Sequence, residues 1–583
     1  LVPAEVNMQN LKIGNDVYQS ILGIKPRIAY INEQAYSQSL VSHYVNAGFE
    51  AIVMEWNNPA KFHPEWKEEF QYQPQIAVDS NKNSIKVIWN NSVAFQKFQR
   101  YATSEIELDE YVNYLKSHLG KLQHFFPLYG SDAEVFDFRT MRYREEVPII
   151  KLGEWQRIRE LFINLSNNQF FSFVSPSEVL EKAGGVNAFN KIHLESGDQP
   201  IPVKKRETYN ITRWALTGRD NIGINTKCYK IYSNLILYKK ISDRVDAKKA
   251  DKLWKELCYL WGSDFRTHIT EERFIKYKEL LEKVLDNTNK LIPTKSAEQL
   301  TNFVEAKIKN KNFIPKIEEN GRNIIVETKF VRIKLNSLKG LAIESLIFKN
   351  ISKESLIGTL DNGYYNDISF AEDFFSGHTT VEIPMQQKIT DLERVKVRLP
   401  EVSANAESIS IETEIKVNSG LIHKIIKVFN YANMVNIKYI FKLNNISPSA
   451  FRTSILTYNP SAFQKRSLYY ACHNGGHNLE VFSLNSTFKC GHLLSHLVSS
   501  GSVLGNTKGC FEIGDADKSI LLLNDMTQVA ALPMIHFEKV GKDNYFLRTF
   551  YSLGEFDETS LVSKDKKDSD VVFSITIIGK NNK

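Results

Sequence analysis

The sequence reads RIAYINEQAY over residues 27–36 and PLYGSDAEVF over residues 127–136, and these two stretches decide the fold. Each is a short apolar run that ends at a carboxylate, Glu33 in the first and Asp132 in the second. An α/β barrel brings acidic side chains to the C-terminal mouth of its strands in this way. The two stretches therefore predict a barrel-type α/β domain with acids at its strand ends.

The residues around these stretches alternate between strand-like and helix-like patterns. Short apolar runs that are buried on both faces are typical of a parallel sheet, and helices between them connect its strands. The first apolar run, the helical pattern after it and the second apolar run together predict a βαβ unit. The predicted strands are 27–31, 51–54, 85–89 and 125–129, and the predicted helices are 40–45 and 108–119.

The dominant period changes twice further along the chain. Apolar residues recur at helical spacing over 229–237, 247–260 and 274–285, and from about Asn323 they recur at every second position. A polar, Lys/Glu/Asn-rich segment marks the boundary between the two patterns. We therefore expect an α/β plus β protein. Its parts are a (β/α)7-type barrel, complete or incomplete, over 1–200, a helical subdomain over 201–315, and a large C-terminal antiparallel β-sandwich over 316–583.

Charge and cysteine content exclude several classes of function. Lys and Arg number 74 and Asp and Glu 67, a net charge of +7 that is spread without a basic block, so nucleic-acid binding is not expected. No stretch approaches the roughly 18 consecutive apolar residues of a membrane span. The five scattered cysteines read as reduced thiols, which favours a cytoplasmic location. The Cys/His-rich stretch 472–496 lacks zinc-site spacing, so no metal site is expected.

Five segments follow one another in an order that is found in a known family. The first joins 23–36 to 48–52, and the second, 131–136, has the spacing Asp-x-Glu-x-Phe. The others are 209–220, 260–268, and 358–378 with 390–391. Together they resemble glycoside hydrolase family 57, whose members are α-glycanases such as α-amylases, 4-α-glucanotransferases and branching enzymes.

The resemblance implies a retaining mechanism that acts on an oligo- or polysaccharide. Glu33 matches the family's nucleophile, and Asp132 matches its general acid/base. Retaining enzymes hold these two carboxyl groups about 5–5.5 Å apart, so the two strand ends have to converge in space. The resemblance implies neither a metal nor an organic cofactor.

Strand-end position and the resemblance together give a set of expected substrate-binding residues. Glu55 ends the second strand and is an alternative nucleophile, ranked behind Glu33 because the Asn-Glu-x-x-Tyr spacing belongs to Glu33. Tryptophan rings can stack on sugar faces, although core packing is their commoner role. The expected set is Tyr36, Glu55, Trp56, Glu134, Trp214, Arg219, Asp220, Trp261 and Asp264.

The chain departs from the family at its beginning. Members start their barrel with two further strand motifs, for which only about thirty residues precede Glu33. We therefore expect a processed or truncated product, a separate chain or segment that completes the barrel, a divergent relative with an incomplete barrel, or a homo-oligomer. Two alternatives to a glycosidase stay open. One is a non-catalytic carbohydrate-binding or assembly protein with a degenerate barrel, and the other is a metal-dependent polysaccharide deacetylase, whose Asp-Asp and His-x₃-His pattern does not occur before Asn323.

Overall fold

Two compact units make up the chain in this computed structural model. The β-rich unit comprises Leu1–Ile13, Gly197–Pro200 and Glu207–Lys583, and the α/β unit comprises Gly14–Ser196 and Ile201–Arg206. The division into three domains stays a prediction. The structure describes residues 1–137, 153–184, 189–204, 211–241, 247–266, 269–292, 314–360, 375–383, 385–400, 406–444, 446, 449–485, 504–540, 544–555 and 569–582.

The helices follow the predicted apolar periodicity where one was predicted. The predicted helices at 40–45, 108–119, 229–237, 247–260 and 274–285 are confirmed, and most differ from the observed ones only in length. The helices are α1 (Ala4–Leu22), α2 (Val41–Asn46), α3 (Ser92–Ala102), α4 (Leu108–Lys116), α5 (Glu154–Ser166), α6 (Pro176–Lys182), α7 (Thr212–Ala215), α8 (Asn221–Ile241), α9 (Ala247–Leu260) and α10 (Glu271–Asn289).

A five-stranded mixed sheet forms the centre of the α/β unit. Its strands are β1 (Ile28–Tyr30), β2 (Ala51–Glu55), β3 (Gln75–Val78), β4 (Ser84–Asn90) and β5 (Lys191–Ile192), in the order β1-β2-β4-β3-β5. β1, β2 and β4 run parallel, so their C-terminal ends share one edge of the sheet. β3 is antiparallel to β4 and parallel to β5. Among the described residues this sheet is open, and a closed barrel is not confirmed.

Apolar side chains that share one face of β2 and β4 explain why this sheet forms. Ile52, Met54 and Val87 are buried together with Val41 of α2 and Leu194. A second cluster joins α3, α4 and α5 and contains residues such as Phe98, Tyr111, Leu115, Ile158 and Leu161. The predicted strands at 27–31, 51–54 and 85–89 are confirmed.

The predicted strand at 125–129 is wrong. The backbone there is irregular, and Phe125 N–H donates to Tyr72 O (3.0 Å) without a continuing ladder. The aromatic residues that suggested a strand pack sideways instead: the Phe126 ring stacks on His118 at 3.9 Å, and the Tyr129 ring lies 5.1 Å from Phe98. Aromatic packing therefore replaced sheet pairing in this segment.

Helices and antiparallel sheets make up the β-rich unit. α8, α9 and α10 bury a common apolar face that includes Ile231, Leu257, Leu260, Tyr277 and Leu281. The strands are β6 (Lys316–Asn320), β7 (Asn323–Glu327), β8 (Val331–Asn336), β9 (Ala342–Phe348), β10 (His378–Glu382), β11 (Ile389–Thr390), β12 (Ser408–Val417), β13 (Gly420–Phe429), β14 (Met434–Leu443), β15 (Ala450–Thr457), β16 (Tyr469–Cys472), β17 (Glu480–Ser483), β18 (Cys510–Gly514), β19 (Lys518–Asn524), β20 (Leu532–Val540), β21 (Asn544–Gly554) and β22 (Ser569–Asn581).

Three antiparallel sheets share one hydrophobic core in this unit. Their orders are β6-β7-β8-β9, β11-β10-β15-β21-β20 and β12-β13-β14-β22-β19-β18-β16-β17. The predicted period of two is confirmed in β12, where Ile409, Ile411, Thr413 and Ile415 are buried and their neighbours are not. Residues from all three sheets, such as Ile333, Val381 and Ile426, enter the same cluster. The predicted antiparallel character of this region is therefore confirmed.

Candidate active site

The turn after β1 holds Glu33 in an unusual backbone conformation. Asn32–Gln34 form a 3₁₀ turn in which Glu33 has φ 48° and Gln34 has φ 52°. Positive φ at a residue other than glycine costs on the order of 1–3 kcal/mol and persists only where surrounding contacts enforce it. Those contacts come from the segment 202–204: Tyr36 N–H donates to Pro202 O and Lys204 N–H donates to Glu33 O, both at 2.9 Å.

The loop that carries Asp132 is fixed to the same edge of the sheet. The Tyr30 hydroxyl donates to Gly130 O (2.5 Å), and Asn90 Nδ2 donates to the same oxygen (3.1 Å). The Tyr129 hydroxyl donates to Asp132 O (2.7 Å). A Cβ at Gly130 would lie 2.3 Å from Asn90 Oδ1, so any other residue there would displace the Asn90 amide. The ends of β1 and β4 thus hold the Asp132 loop.

The pKa of Tyr30 depends on the charges at this edge of the sheet. The side chain is 51% exposed, and its hydroxyl accepts a hydrogen bond from Gln34 Nε2 (2.7 Å). Burial raises the pKa of Tyr30, the Gln34 hydrogen bond lowers it, and the negative charges of Asp132 and Glu33 raise it further. Both predicted acids therefore lie within electrostatic reach of one phenol.

The two acids themselves are unpaired among the described residues. Asp132 is exposed and Glu33 is partly buried, and neither carboxylate has a hydrogen bond or an ion pair with a described residue. A pair of carboxylates that is free of structural partners at a strand-end edge is able to serve as nucleophile and acid/base. The Glu33 turn follows β1 directly, and the loop that carries Asp132 is anchored at the ends of β1 and β4, so both segments lie at the same edge of the sheet.

Glu55 has a different environment. Its side chain is fully buried, Oε2 accepts Asn58 N–H (2.7 Å) and Oε1 accepts Ser92 N–H (3.0 Å). Burial raises the pKa of Glu55, and its hydrogen bonds with Ser92 and the backbone lower it. These contacts tie together two loops that leave the sheet, which favours a structural role over the predicted role in a sugar subsite.

Two predicted aromatic contacts are also buried. Trp56 is 8% exposed and packs between Trp66 (5.5 Å between ring centres) and Trp89 (5.1 Å). Tyr36 is 1% exposed. Burial favours core packing over the predicted stacking on a sugar. The side chain of Glu134 lies outside the described residues.

The remaining predicted substrate-binding residues belong to the helical part of the β-rich unit. Arg219 pairs with Glu271 (2.7 Å) and lies over the Phe274 ring. The exposed Asp264 carboxylate lies 3.9 Å from Arg273. Asp220 precedes α8, Trp214 lies in α7 and is partly buried, and Trp261 packs edge-on against Tyr229 at 5.1 Å.

Sequence reasoning missed three residues of the strand-end edge. Tyr30 and Asn90 end β1 and β4, so the rule that found Glu33 could have found them. Lys204 is distant in sequence from both acids and has no local signal, yet its Nζ donates to Ser131 Oγ at 3.0 Å. Across the described ranges, no group of three or more His, Cys, Asp or Glu residues is placed to hold a metal. Nor is any helix in the described part long and apolar enough to cross a bilayer.

Comparison with known proteins indicates a class for one part of the chain, which is similar to a glycoside hydrolase domain. In particular, residues 2–195 match the model of the family described as Glycosyl hydrolase family 57. This match confirms the family resemblance for that part of the chain. No curated protein matches the sequence.

Solved structures with a similar fold include two proteins from Enterococcus faecalis. One is an α-mannosidase with a TM-score of 0.55 and 10% identity, covering 100% of this chain and 77% of that one. The other, described as a protein in the Glycosyl Hydrolase Family 38, has a TM-score of 0.52 and 8% identity, covering 100% and 76%. At such identities the likeness describes the fold alone. A 4-α-glucanotransferase from Thermococcus litoralis has 10% identity and a TM-score of only 0.36, with 99% of this chain and 85% of that one covered.

Proposed function

We propose that this protein is a retaining α-glycoside hydrolase or transglycosidase that acts on an oligo- or polysaccharide. Glu33 is the nucleophile and Asp132 is the general acid/base. The observation that carries the proposal is that the Glu33 turn follows β1, the Tyr30 hydroxyl at the end of β1 donates to Gly130 O of the Asp132 loop, and neither carboxylate has a structural partner among the described residues. The family match over residues 2–195 supports the same reaction class.

The chemistry proceeds in two steps. A Glu33 oxygen bonds to the anomeric carbon while the bond from that carbon to the glycosidic oxygen breaks and Asp132 gives its proton to the departing oxygen. Asp132 then takes a proton from water or from an acceptor sugar hydroxyl, whose oxygen bonds to the anomeric carbon as the glycosyl ester at Glu33 breaks.

The Glu33 turn suits a nucleophile. Its backbone strain is held by contacts from 202–204, so the backbone that carries the carboxylate is fixed before the substrate arrives. A fixed backbone lowers the entropy that positioning the nucleophile would cost at the moment of reaction. Tyr30 precedes this turn, its hydroxyl donates to Gly130 O in the loop that carries Asp132, and its side chain is exposed enough to contact a bound sugar.

Turnover of a panel of α-linked glycans tests the assignment. We expect Glu33→Gln and Asp132→Asn to lower turnover at least about 100-fold with glycan binding retained in calorimetry. Glu110→Gln and Asp109→Asn on the exposed side of α4 are matched controls. The anomer of the first product, followed by NMR, should show retention.

Three outcomes would count against the proposal. Unchanged turnover in Glu33→Gln or in Asp132→Asn removes that residue from the mechanism. An inverted product rules out the covalent step. Binding of glycans without turnover of any of them favours the non-catalytic carbohydrate-binding alternative.

The finer architecture and the surroundings are part of the proposal. The open sheet belongs to an incomplete (β/α)7-type barrel whose β1 edge a further segment, another chain or a second copy covers, and the three antiparallel sheets form a β-sandwich. The four cysteines in the described part of the chain, Cys228, Cys258, Cys472 and Cys510, are free thiols, which supports a cytoplasmic location. Light scattering of the purified protein, alone and with candidate partners, tests the state of association.

A further inference from the structure

One residue contacts both halves of the candidate active site. The backbone N–H of Lys204 donates to Glu33 O at 2.9 Å, inside the strained turn. Its side-chain Nζ donates to Ser131 Oγ at 3.0 Å, one residue before Asp132. The same ammonium lies 5.2 Å from the centre of the Phe95 ring, in cation–π range. Lys204 therefore spans from the turn of one acid to the loop of the other.

Nothing else among the described contacts makes this connection from the segment 201–204. Tyr30 and Asn90 hold the loop at Gly130, before Ser131, and they do so from the sheet. Beyond Gly130, the Tyr129 hydroxyl donates a hydrogen bond to Asp132 O, but Tyr129 belongs to the same loop and does not connect it to another segment. Lys204 is thus the contact that fixes Ser131, next to Asp132, to the backbone of the Glu33 turn.

The distance between the acids is what such a contact controls. Retaining glycosidases hold their carboxyl groups about 5–5.5 Å apart and inverting ones about 6.5–9.5 Å. A shift of the Asp132 loop by one or two ångströms therefore changes whether a covalent step is possible. A misplacement of about 1 Å costs on the order of 100-fold in rate in well-organised active sites.

We propose that Lys204 is a positioning residue that sets the separation of Glu33 and Asp132, by tying Ser131 of the acid/base loop to the nucleophile turn. The proposal rests on the proposed function of these two acids. Lys204 does not exchange a proton with the substrate and acts only through the two acids. Its backbone contact survives any substitution except proline, whereas its side-chain contact is open to mutation.

Enzyme kinetics on the full chain test the positioning role. Lys204→Met keeps the apolar stem over Phe95 and removes the donor, and Ser131→Ala removes the acceptor. We expect each to lower kcat by about 10- to 100-fold with KM within about twofold, because the defect is in geometry and not in binding. Lys204→Arg keeps a cationic donor and should recover part of kcat. Lys191→Met, an exposed lysine of β5, is the matched control.

A double-mutant cycle separates a shared contact from two independent defects. If Lys204 acts through Ser131, the double variant Lys204→Met/Ser131→Ala should be no slower than the slower of the two single variants. Multiplicative losses, an effect on KM alone, or no recovery in Lys204→Arg would overturn the proposal. Equal thermal midpoints for Lys204→Met and the control show that the loss is not general destabilisation.

Amide hydrogen exchange gives a readout that does not depend on activity. We expect Lys204→Met to increase exchange across residues 127–137 and Lys191→Met to leave it unchanged. Unchanged exchange in Lys204→Met would overturn the positioning role even if the enzyme has no measurable turnover. Full turnover in Glu33→Gln or Asp132→Asn contradicts the proposed function, whereas full turnover in Lys204→Met alone contradicts only the positioning role.

Discussion

Two carboxylates at the strand-end edge of the α/β unit and two in the region of the three antiparallel sheets have opposite environments. The carboxylates of Glu33 and Asp132 have no hydrogen-bond or ion-pair partner among the described residues. Asp391 is fully buried with its oxygen 3.2 Å from Lys424 Nζ, and Glu555 receives two hydrogen bonds from Arg452, both at 2.9 Å. A buried carboxylate that is fully paired holds the fold together, whereas an unpaired one at a strand end is available for chemistry.

The buried pair also shows why its charges are costly to separate. Lys424 Nζ donates to Gly340 O (2.8 Å) and Gly377 O (2.6 Å) as well as to Asp391, and Thr379 N–H donates to Asp391 (2.8 Å). Burial lowers the pKa of Lys424 and raises that of Asp391, while each partner's charge opposes the effect on the other. Removing one partner leaves the other charged or unsatisfied in the core.

The largest effect is therefore expected from Lys424→Met. It leaves Asp391 without its cation, so the free energy of unfolding should fall by about 3–5 kcal/mol, as for other broken buried pairs. Guanidinium denaturation at neutral pH measures this. Lys416→Met, at an exposed position of β12, should change stability by less than about 0.5 kcal/mol. Equal free energies of unfolding in the two variants would mean that the buried pair does not contribute to stability.

The next largest effect is expected from Gly130→Ala. The new Cβ would displace the Asn90 amide, which itself donates to Gly130 O, and so would move the Asp132 loop. We expect kcat/KM to fall by about 30-fold, or about 2 kcal/mol of transition-state stabilisation. Gly14→Ala in α1 is the control, since a Cβ there meets nothing within 4 Å. Wild-type kinetics in Gly130→Ala would show that the loop does not need this close approach.

A smaller loss of activity is expected from Tyr30→Phe. The variant keeps the ring and loses the hydroxyl that joins Gln34 to Gly130. One hydrogen bond of this kind contributes about 1 kcal/mol, so kcat/KM should fall by roughly five- to tenfold. Tyr18→Phe, at an exposed position of α1, is the matched control. An equal loss of activity in Tyr30→Phe and Tyr18→Phe would show that the Tyr30 hydroxyl has no specific role in the candidate site.

The smallest effect is expected on the stability contributed by Glu512, which lies in β18 of the β-rich unit. Burial raises the pKa of Glu512, but its hydrogen bonds with Tyr469 and Lys580 outweigh burial, and the pKa is lowered below 4.5. A lowered carboxyl pKa stabilises the fold above the unfolded value and loses this contribution as the pH falls through the folded one.

We therefore expect Glu512→Gln to be less stable than the wild type by up to about 1 kcal/mol at neutral pH. The difference should shrink as the pH is lowered below 4.5. Urea denaturation between neutral and acidic pH measures the trend. A difference that grows on acidification would contradict the assigned direction, and Glu414→Gln, exposed on β12, serves as the reference.

The sequence predicted regular elements well where one physical signal dominated. The apolar runs at 51–54 and 85–89 became β2 and β4, and the alternation in β12 matches its burial. The segment 125–129 failed because its aromatic residues satisfy a strand pattern and an irregular aromatic cluster equally well. Periodicity cannot separate the two when the packing partners, such as His118 and Phe98, lie in other elements.

The candidate site was predictable only as residue types at strand ends. Glu33 and Asp132 follow from that rule, but the same rule also selected Glu55, which the fold buries against Asn58 and Ser92. Strand-end carboxylates are alike in sequence, and only the loops that fold over them decide which stay free. Lys204 had no local signal because its contacts join residues far apart along the chain.

By itself, the sequence determined the α/β and antiparallel character of the two regions, the acids that end the strands, and the family to which residues 2–195 are similar. The tertiary structure alone decided that β4 lies between β2 and β3, that Tyr30 is within reach of both acids, and that Lys204 joins the Glu33 turn to Ser131. The reason is that local side-chain pattern sets secondary structure, whereas long-range packing sets which strand ends meet and which charges find a partner.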